Sequence, residues 1–221
     1  VNDEGKRRIR AVARARRRAR LEQPPARPRP DDRASKKEEA RGLLDAWLAL
    51  IEHYGLSRPI LPALFLPTAS EPDIRLILDS GPCIVPALVA PSGAPLTHPD
   101  WTPLPSEGTP TASIPHSEES APEGARRGPR SLPSRLLGAE ALAKADIIAV
   151  PALSVDARGT RIGQGGGWYD RALLHARHSA PRVGVLFDEE FTSSPLPRMP
   201  HDQGVDAILT PSGYRILRPR D

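Results

Sequence analysis

Five consecutive residues, Gly163-Gln164-Gly165-Gly166-Gly167, constrain this chain more than any others. A glycine inside a regular element costs roughly 0.5–1 kcal/mol relative to alanine, so four of them forgo on the order of 2–4 kcal/mol of local order. Such a run persists where the backbone must come close to something. Before it, Ile147 to Val150 are β-branched or small and carry no charge, as a buried strand of a parallel sheet requires, with Asp146 ahead and Pro151 behind. After it, Trp168 to Leu174 resume a helix-compatible spacing. Strand, glycine turn and helix in that order present bare amide N–H groups at a helix start, where the dipole favours an anion. A loose glycine linker lacks such flanks.

The spacing is that of neither common phosphate loop. A Walker loop ends in Gly-Lys-Ser/Thr, whereas Gly167 is followed by Trp168. The dinucleotide fingerprint needs a glycine where Trp168 stands, so only Gly163 and Gly165 match it. The residues support a phosphate cradle of another kind. A hydrolase triad built on Ser154 and His201 lacks GxSxG, and His175 with His178 is too small a set for zinc.

At 221 residues one α/β domain, 1–221, is the default. The N-terminal arm over 5–21 predicts a basic helix with a thin apolar stripe of Ile9, Val12 and Ala13. A solvated helix, a nucleic-acid arm and a membrane-surface helix all fit it. Residues 22–34, rich in proline and arginine, read as an extended linker. Ser35 with Glu38 predicts a capping box, followed by Leu43, Leu44, Trp47, Leu48 and Ile51 at helical spacing and a stop at Gly55. Trp47 and Tyr54 are core candidates.

Further on, Pro59–Leu66 predicts a strand, Glu71–Asp79 a helix with Pro72 in its first turn, and Pro82–Val89 a strand ending at a Pro91-Ser92-Gly93 turn. The Pro/Ser-rich stretch 102–134, with Arg126 and Arg127 in it, predicts a long loop, and Gly138–Ala145 a short helix. Arg182–Phe187 reads as a buried strand.

The charge is +4, and the excess sits in the arm. The single cysteine, Cys83, excludes an internal disulfide and stands in an apolar run as a buried residue would. No apolar stretch nears the roughly 20 residues that span a bilayer, and no signal-like apolar region follows the basic start. A cytoplasmic protein is the expectation.

The segment Asp146–Leu173, with Val150-Pro151-Ala152-Leu153, Asp156, Gly159 and Arg161-Ile162-Gly163-Gln164-Gly165-Gly166-Gly167-Trp168-Tyr169-Asp170-Arg171, resembles the signature of the 5-formyltetrahydrofolate cyclo-ligase family. It departs from the usual form at Trp168, where tyrosine is common, and at Gln164, where tyrosine or arginine is common. The resemblance implies a three-layer α/β/α domain with a mostly parallel central sheet. It also implies ATP-dependent conversion of 5-formyltetrahydrofolate to 5,10-methenyltetrahydrofolate through a phosphorylated formyl group, with ADP and phosphate released; a monomer is the expectation for its assembly.

On that resemblance, Lys6, Arg7, Arg8, Ile9 and Arg10 match a motif at the nucleotide phosphates, and Arg10 also lies near the folate. Arg161, Ile162 and the loop from Gly163 to Tyr169 hold ATP, with Lys6 and Arg161 acting on the transferring phosphoryl group. Leu66 and Glu71 line the pterin pocket; a carboxylate suits an amino-pyrimidine edge because it accepts two parallel N–H bonds. Asp170 and Asp202, the latter in His201-Asp202 ahead of Asp206 and a final strand, are the implied Mg2+ ligands. Two carboxylates plus phosphate oxygens suit that ion, which seldom has an all-protein cage. Two alternatives stay open: an inactive relative that binds nucleic acid through its arm, and a different ATP-using enzyme on the same scaffold.

Overall fold

The structure, a computed structural model, describes residues 2–22, 30–57, 59–104, 133 and 135–217. Asn2–Glu22, built almost wholly of alanine, arginine and other helix formers, is α1. Pro30–His53 is α2. Part of the expected linker, 23–29, lies outside the described residues, but the chain is helical again from Pro30, so Ser35 sits inside α2 and caps nothing. A proline is tolerated in a first turn because its missing N–H has no intrahelical partner there. The helix stops where expected: the Leu56 amide donates to Ile51 O (3.1 Å) and the Gly55 amide to Glu52 O (2.9 Å), a Schellman pair.

Pro62–Ala63 is β1, much shorter than the strand expected over 59–66. The expected helix over 71–79 contracts to α3, Arg75–Leu78. Glu71 is the reason: its carboxylate accepts from the Thr68 amide and hydroxyl, both at 2.9 Å, and closes a turn instead of opening a helix. Cys83–Val89 is β2, and Pro95–Leu104 is β3, joined to it through the Pro91–Gly93 turn. Thr102 to Leu104 therefore belong to a strand and not to the long loop; 105–132 and Ser134 lie outside the described residues. β3 escaped notice because it carries prolines, which an edge strand tolerates. After a 3-10 turn at Ala139–Lys144 come β4 (Ile147–Pro151), β5 (Ser154–Asp156), β6 (Arg161–Ile162) and α4 (Trp168–Ala172). The chain finishes with β7 (Arg182–Val185), β8 (Phe191–Thr192), β9 (Ala207–Thr210) and β10 (Gly213–Ile216).

The main sheet runs β10-β9-β7-β4-β1-β2-β3 and is parallel from β9 to β2, with antiparallel pairs only at its edges. β6, β5 and β8 form a small second sheet. Side chains alternate across the main sheet. Ile147 and Ala149 of β4 pack under Leu43, Trp47 and Leu50 of α2, whereas Ile148 and Val150 face Leu142, Ala172 and Leu173 on the other side. Helices thus cover both faces, as the three-layer expectation requires. Trp47 is buried, Tyr54 packs at the edge of the same cluster, and Cys83 is buried, its thiol pushed up to about 12 by desolvation. Among the described residues no helix is long and apolar enough to cross a membrane.

From β1 the chain moves outward to β2 and β3, then returns to place β4 on the other side of β1. The loops after β1 and β4 therefore diverge to opposite faces and leave a crevice at the strand ends, the usual ligand position in an open α/β sheet. Leu66 and Glu71 follow β1; the glycine loop follows β4.

Candidate active site

The glycine loop emerges from β6 and enters α4, and α1 lies against it. Arg10 donates through Nε to the Gly163 carbonyl at 3.0 Å, and Arg14 holds Gln164 by its side-chain oxygen (3.1 Å) and its carbonyl (2.6 Å). Gly165 has φ +99°, and a Cβ there would meet the Arg10 guanidinium at 3.3 Å; Gly167 has φ +64°. At Gly166 a Cβ would meet nothing within 4 Å. Among the described residues, no group accepts from the amide N–H of Gly165, Gly166 or Gly167. With carbonyls turned to the arginines and amides unclaimed, the loop has the polarity of an anion cradle.

Two ion pairs stand at its rim. Lys6, 5% exposed, is bonded to Asp202 Oδ2, which also accepts from the Met199 amide at 2.5 Å. Burial pushes the Asp202 carboxyl up, but the Lys6 ammonium and the Met199 amide outweigh it and hold the group below its ordinary range. Arg161 donates to Asp170 Oδ1 at 2.9 Å, and the same oxygen accepts from the Gln203 amide at 3.1 Å. Through Gln203 the two aspartates, 32 positions apart, come to one place. Among the described residues no cluster of three or more His, Cys, Asp or Glu suits a metal ion. Two hard carboxylates fit a magnesium that takes its other oxygens from water and phosphate, and they do not make a self-sufficient cage.

On the β1 side, Glu71 and Gln164 line a narrow crevice together with Arg17 and Pro151 to Leu153. Leu66 is half-buried at the edge of the α2 core. Tyr169 lies between the two sides. Burial, reinforced by the Glu71 carboxylate and opposed by Arg161, pushes its phenol well above the ordinary value. Its hydroxyl and the Arg161 Nε are buried without a hydrogen-bond partner. Orphaned polar atoms of this kind cost about 1–3 kcal/mol each unless a ligand satisfies them. Trp168 meets the rings of Trp101 (5.2 Å) and Tyr169 (4.9 Å) edge to face.

The residues singled out in the sequence divide accordingly. Lys6, Arg10, Arg161, Gly163 to Gly167, Tyr169, Asp170 and Asp202 converge, with Glu71 next to them. Ile162 is buried and offers only its backbone, and Ile9 is half-buried. Arg7 is exposed and pairs with Asp3 at 2.9 Å, and Arg8 is exposed. The apolar stripe is corrected: Val12 is 46% exposed, and the inward face of α1 carries Lys6, Ala13 and Arg17. The arm is therefore not a solvated helix. Arg14, Arg17, Glu190 and Trp101 went unnoticed, since a buried arginine in an arginine-rich helix is indistinguishable in sequence from a solvated one.

Fold and crevice define the class: a doubly wound α/β domain that presents a glycine loop with unclaimed amides beside paired carboxylates at a topological switch point. The model of the 5-formyltetrahydrofolate cyclo-ligase family matches residues 85–211, more than half of the chain, and the chain belongs to that family. A 5-formyltetrahydrofolate cyclo-ligase of Mycolicibacterium smegmatis is 44% identical over 92 residues, 41% of this chain and 47% of that protein. A mitochondrial 5-formyltetrahydrofolate cyclo-ligase of Arabidopsis thaliana is 31% identical over 84 residues, 34% of this chain and 30% of that protein. The matched stretch spans about half of the first relative's length and under a third of the second's. In fold, the chain is similar to the solution structure of a 5,10-methenyltetrahydrofolate synthetase from Aquifex aeolicus (TM-score 0.62, 21% identity, 98% of this chain and 94% of that one). It is also similar to one from Mycoplasma pneumoniae (TM-score 0.58, 14% identity, 93% and 98%).

Proposed function

We propose that the crevice binds ATP and a reduced folate and converts 5-formyltetrahydrofolate to 5,10-methenyltetrahydrofolate, with release of ADP and phosphate. The observation that carries this reading is the meeting, at one switch point, of unclaimed glycine amides, Lys6, Arg161 and two carboxylates with Glu71 across the crevice. The formyl oxygen of the folate attacks the γ-phosphorus of ATP, and the bond to ADP breaks. The formyl carbon, now bearing a good leaving group, is attacked by the folate's own aniline nitrogen. Phosphate departs with the former formyl oxygen, that nitrogen loses its proton, and the ring is closed.

In this chemistry the chain supplies position and charge. Lys6, Arg161 and the amides of Gly165 to Gly167 stabilise the negative charge on the transferring phosphoryl group, as preorganised donors do in a water-poor site. Asp170 and Asp202 are the residues that would hold magnesium, which neutralises phosphate oxygens when bound. Glu71 accepts the amino-pyrimidine N–H groups, Leu66 and Tyr169 border the pterin, and Trp168 keeps Tyr169 in place. Membership of the family and the cyclo-ligases matched over part of their length support this reading; the substrate, the metal and the monomeric, cytoplasmic form belong to the proposal.

The test mixes the protein with 5-formyltetrahydrofolate, ATP and magnesium and follows the absorbance of the methenyl product. Product should form, and Asp170→Asn should slow it at least about 100-fold, the scale of a lost charge-stabilising group. No product from the parent protein would remove the reading; unchanged turnover in the variant would remove Asp170 from the chemistry.

A further inference from the structure

Arg17 is buried more deeply than the other cations of α1, at 3% exposure, and the chemistry above gives it no task. Its Nε and Nη2 donate to the two oxygens of Glu190 at 2.6 and 2.7 Å, and Nη2 also donates to the Ala152 carbonyl at 2.6 Å. Glu190 is fixed in turn. Its carboxylate accepts from the Phe187 amide at 2.9 Å, and its carbonyl accepts from the Ser154 hydroxyl at 2.8 Å. One guanidinium therefore joins α1 to the segment leaving β4, which lines the crevice, and to the turn after β7, the strand paired with β4.

Stability alone explains such a pair poorly. A buried, hydrogen-bonded ion pair is often no more stabilising than an apolar pair of the same size, and its best-attested use is to specify register. Here register matters. Arg10 lies about two helical turns before Arg17 and Lys6 about three, all on one face. A one-residue slip of α1 would swing that face by about 100°. Arg10 would leave the Gly163 carbonyl, and Lys6 would leave Asp202.

We propose that Arg17, gripped by Glu190, is a positioning residue that sets the register of α1 over the glycine loop and so places Lys6 and Arg10 for the nucleotide, a role that rests on the cyclo-ligase reading of the crevice. A bidentate fork suits it because both nitrogens must be seated at once, which fixes rotation as well as distance.

The experiment compares Arg17→Met/Glu190→Gln, which removes both charges and leaves an acceptor for the Phe187 amide, with Arg17→Lys, which keeps the charge and loses the fork. A register role predicts a double variant that melts close to the parent. It also predicts amide exchange along α1 from Arg10 to Arg17 at least about tenfold faster, a KM for ATP raised at least about tenfold and a kcat lowered with it, because Lys6 acts on the transferring phosphoryl group and small misplacements of such groups have effects of that order. Arg17→Lys should fall between. Parent-like exchange and parent-like KM in the folded double variant overturn the proposal. So does a double variant that does not fold, because the pair would then hold the core and not the register. Should the parent make no methenyl product, the cyclo-ligase reading fails by itself, and the exchange rates still decide for or against Arg17.

Discussion

Gly165 and Gly166 sit side by side in the loop for different reasons. Gly165 holds a backbone conformation that side chains rarely adopt, with Arg10 close above it, so Gly165→Ala should cost about 1–3 kcal/mol of stability. Gly166 has an ordinary φ and open space where a Cβ would go. Gly166→Ala should therefore leave the melting temperature almost unchanged, while calorimetry with magnesium and ATP shows affinity reduced by about tenfold or more, the cost of pushing a phosphate off its amides. Loss of stability without loss of affinity would mean that the residue serves the loop and not a ligand. At this scale much was legible: the glycines, Arg161, Asp170 and Tyr169 lie within a few residues of one another, and local sequence reports local backbone.

Among the elements, α1 decides most. Its inward cations are each spoken for: Lys6 by Asp202, Arg10 by Gly163, Arg17 by Glu190 and Arg20 by Glu39 at 2.5 Å and Glu189 at 3.1 Å. The Lys6 contact has a pH signature. Since the Asp202 carboxyl is held below its ordinary range in the folded chain, the pair's stabilisation is fully present above the unfolded value of about 3.9 and is lost as the pH falls through the lower folded value. In magnesium-free buffer the melting temperature of Asp202→Asn should lie below that of the parent by a constant gap from neutral pH to about pH 4, and the gap should close in stronger acid. A gap that widened on acidification would contradict the pairing. α1 was recognisable as a helix from its composition, but its partners are more than 130 positions away in several cases, and periodicity holds no information about them. The shortening of β1 and α3 was hidden likewise, because the Thr68–Glu71 turn depends on one side chain folding back.

For the whole molecule, the seven-stranded sheet and the helices on both of its faces turn separate loops into one crevice. A ligand that binds only the folded chain raises its stability. ATP with magnesium at about 100 times its dissociation constant should add about 2.7 kcal/mol and lift the melting temperature by about 5–10 °C. A polynucleotide at the same concentration and physiological salt should lift it far less, because Lys6, Arg10, Arg14, Arg17 and Arg20 already have internal partners; an equal shift would favour the arm as a nucleic-acid interface. The sequence by itself determined the buried strand at Ile147–Pro151, the glycine turn and the alternation that covers a sheet on two sides, since each follows from side-chain size, charge and spacing along the chain. Only the tertiary structure decided that α1 lies on the glycine loop with its charged face inward, and that Asp202 reaches Lys6. Those contacts exist because a buried cation must find a carboxylate or carbonyl wherever the fold offers one, and which one it finds is settled by how the strands are ordered and not by neighbouring residues.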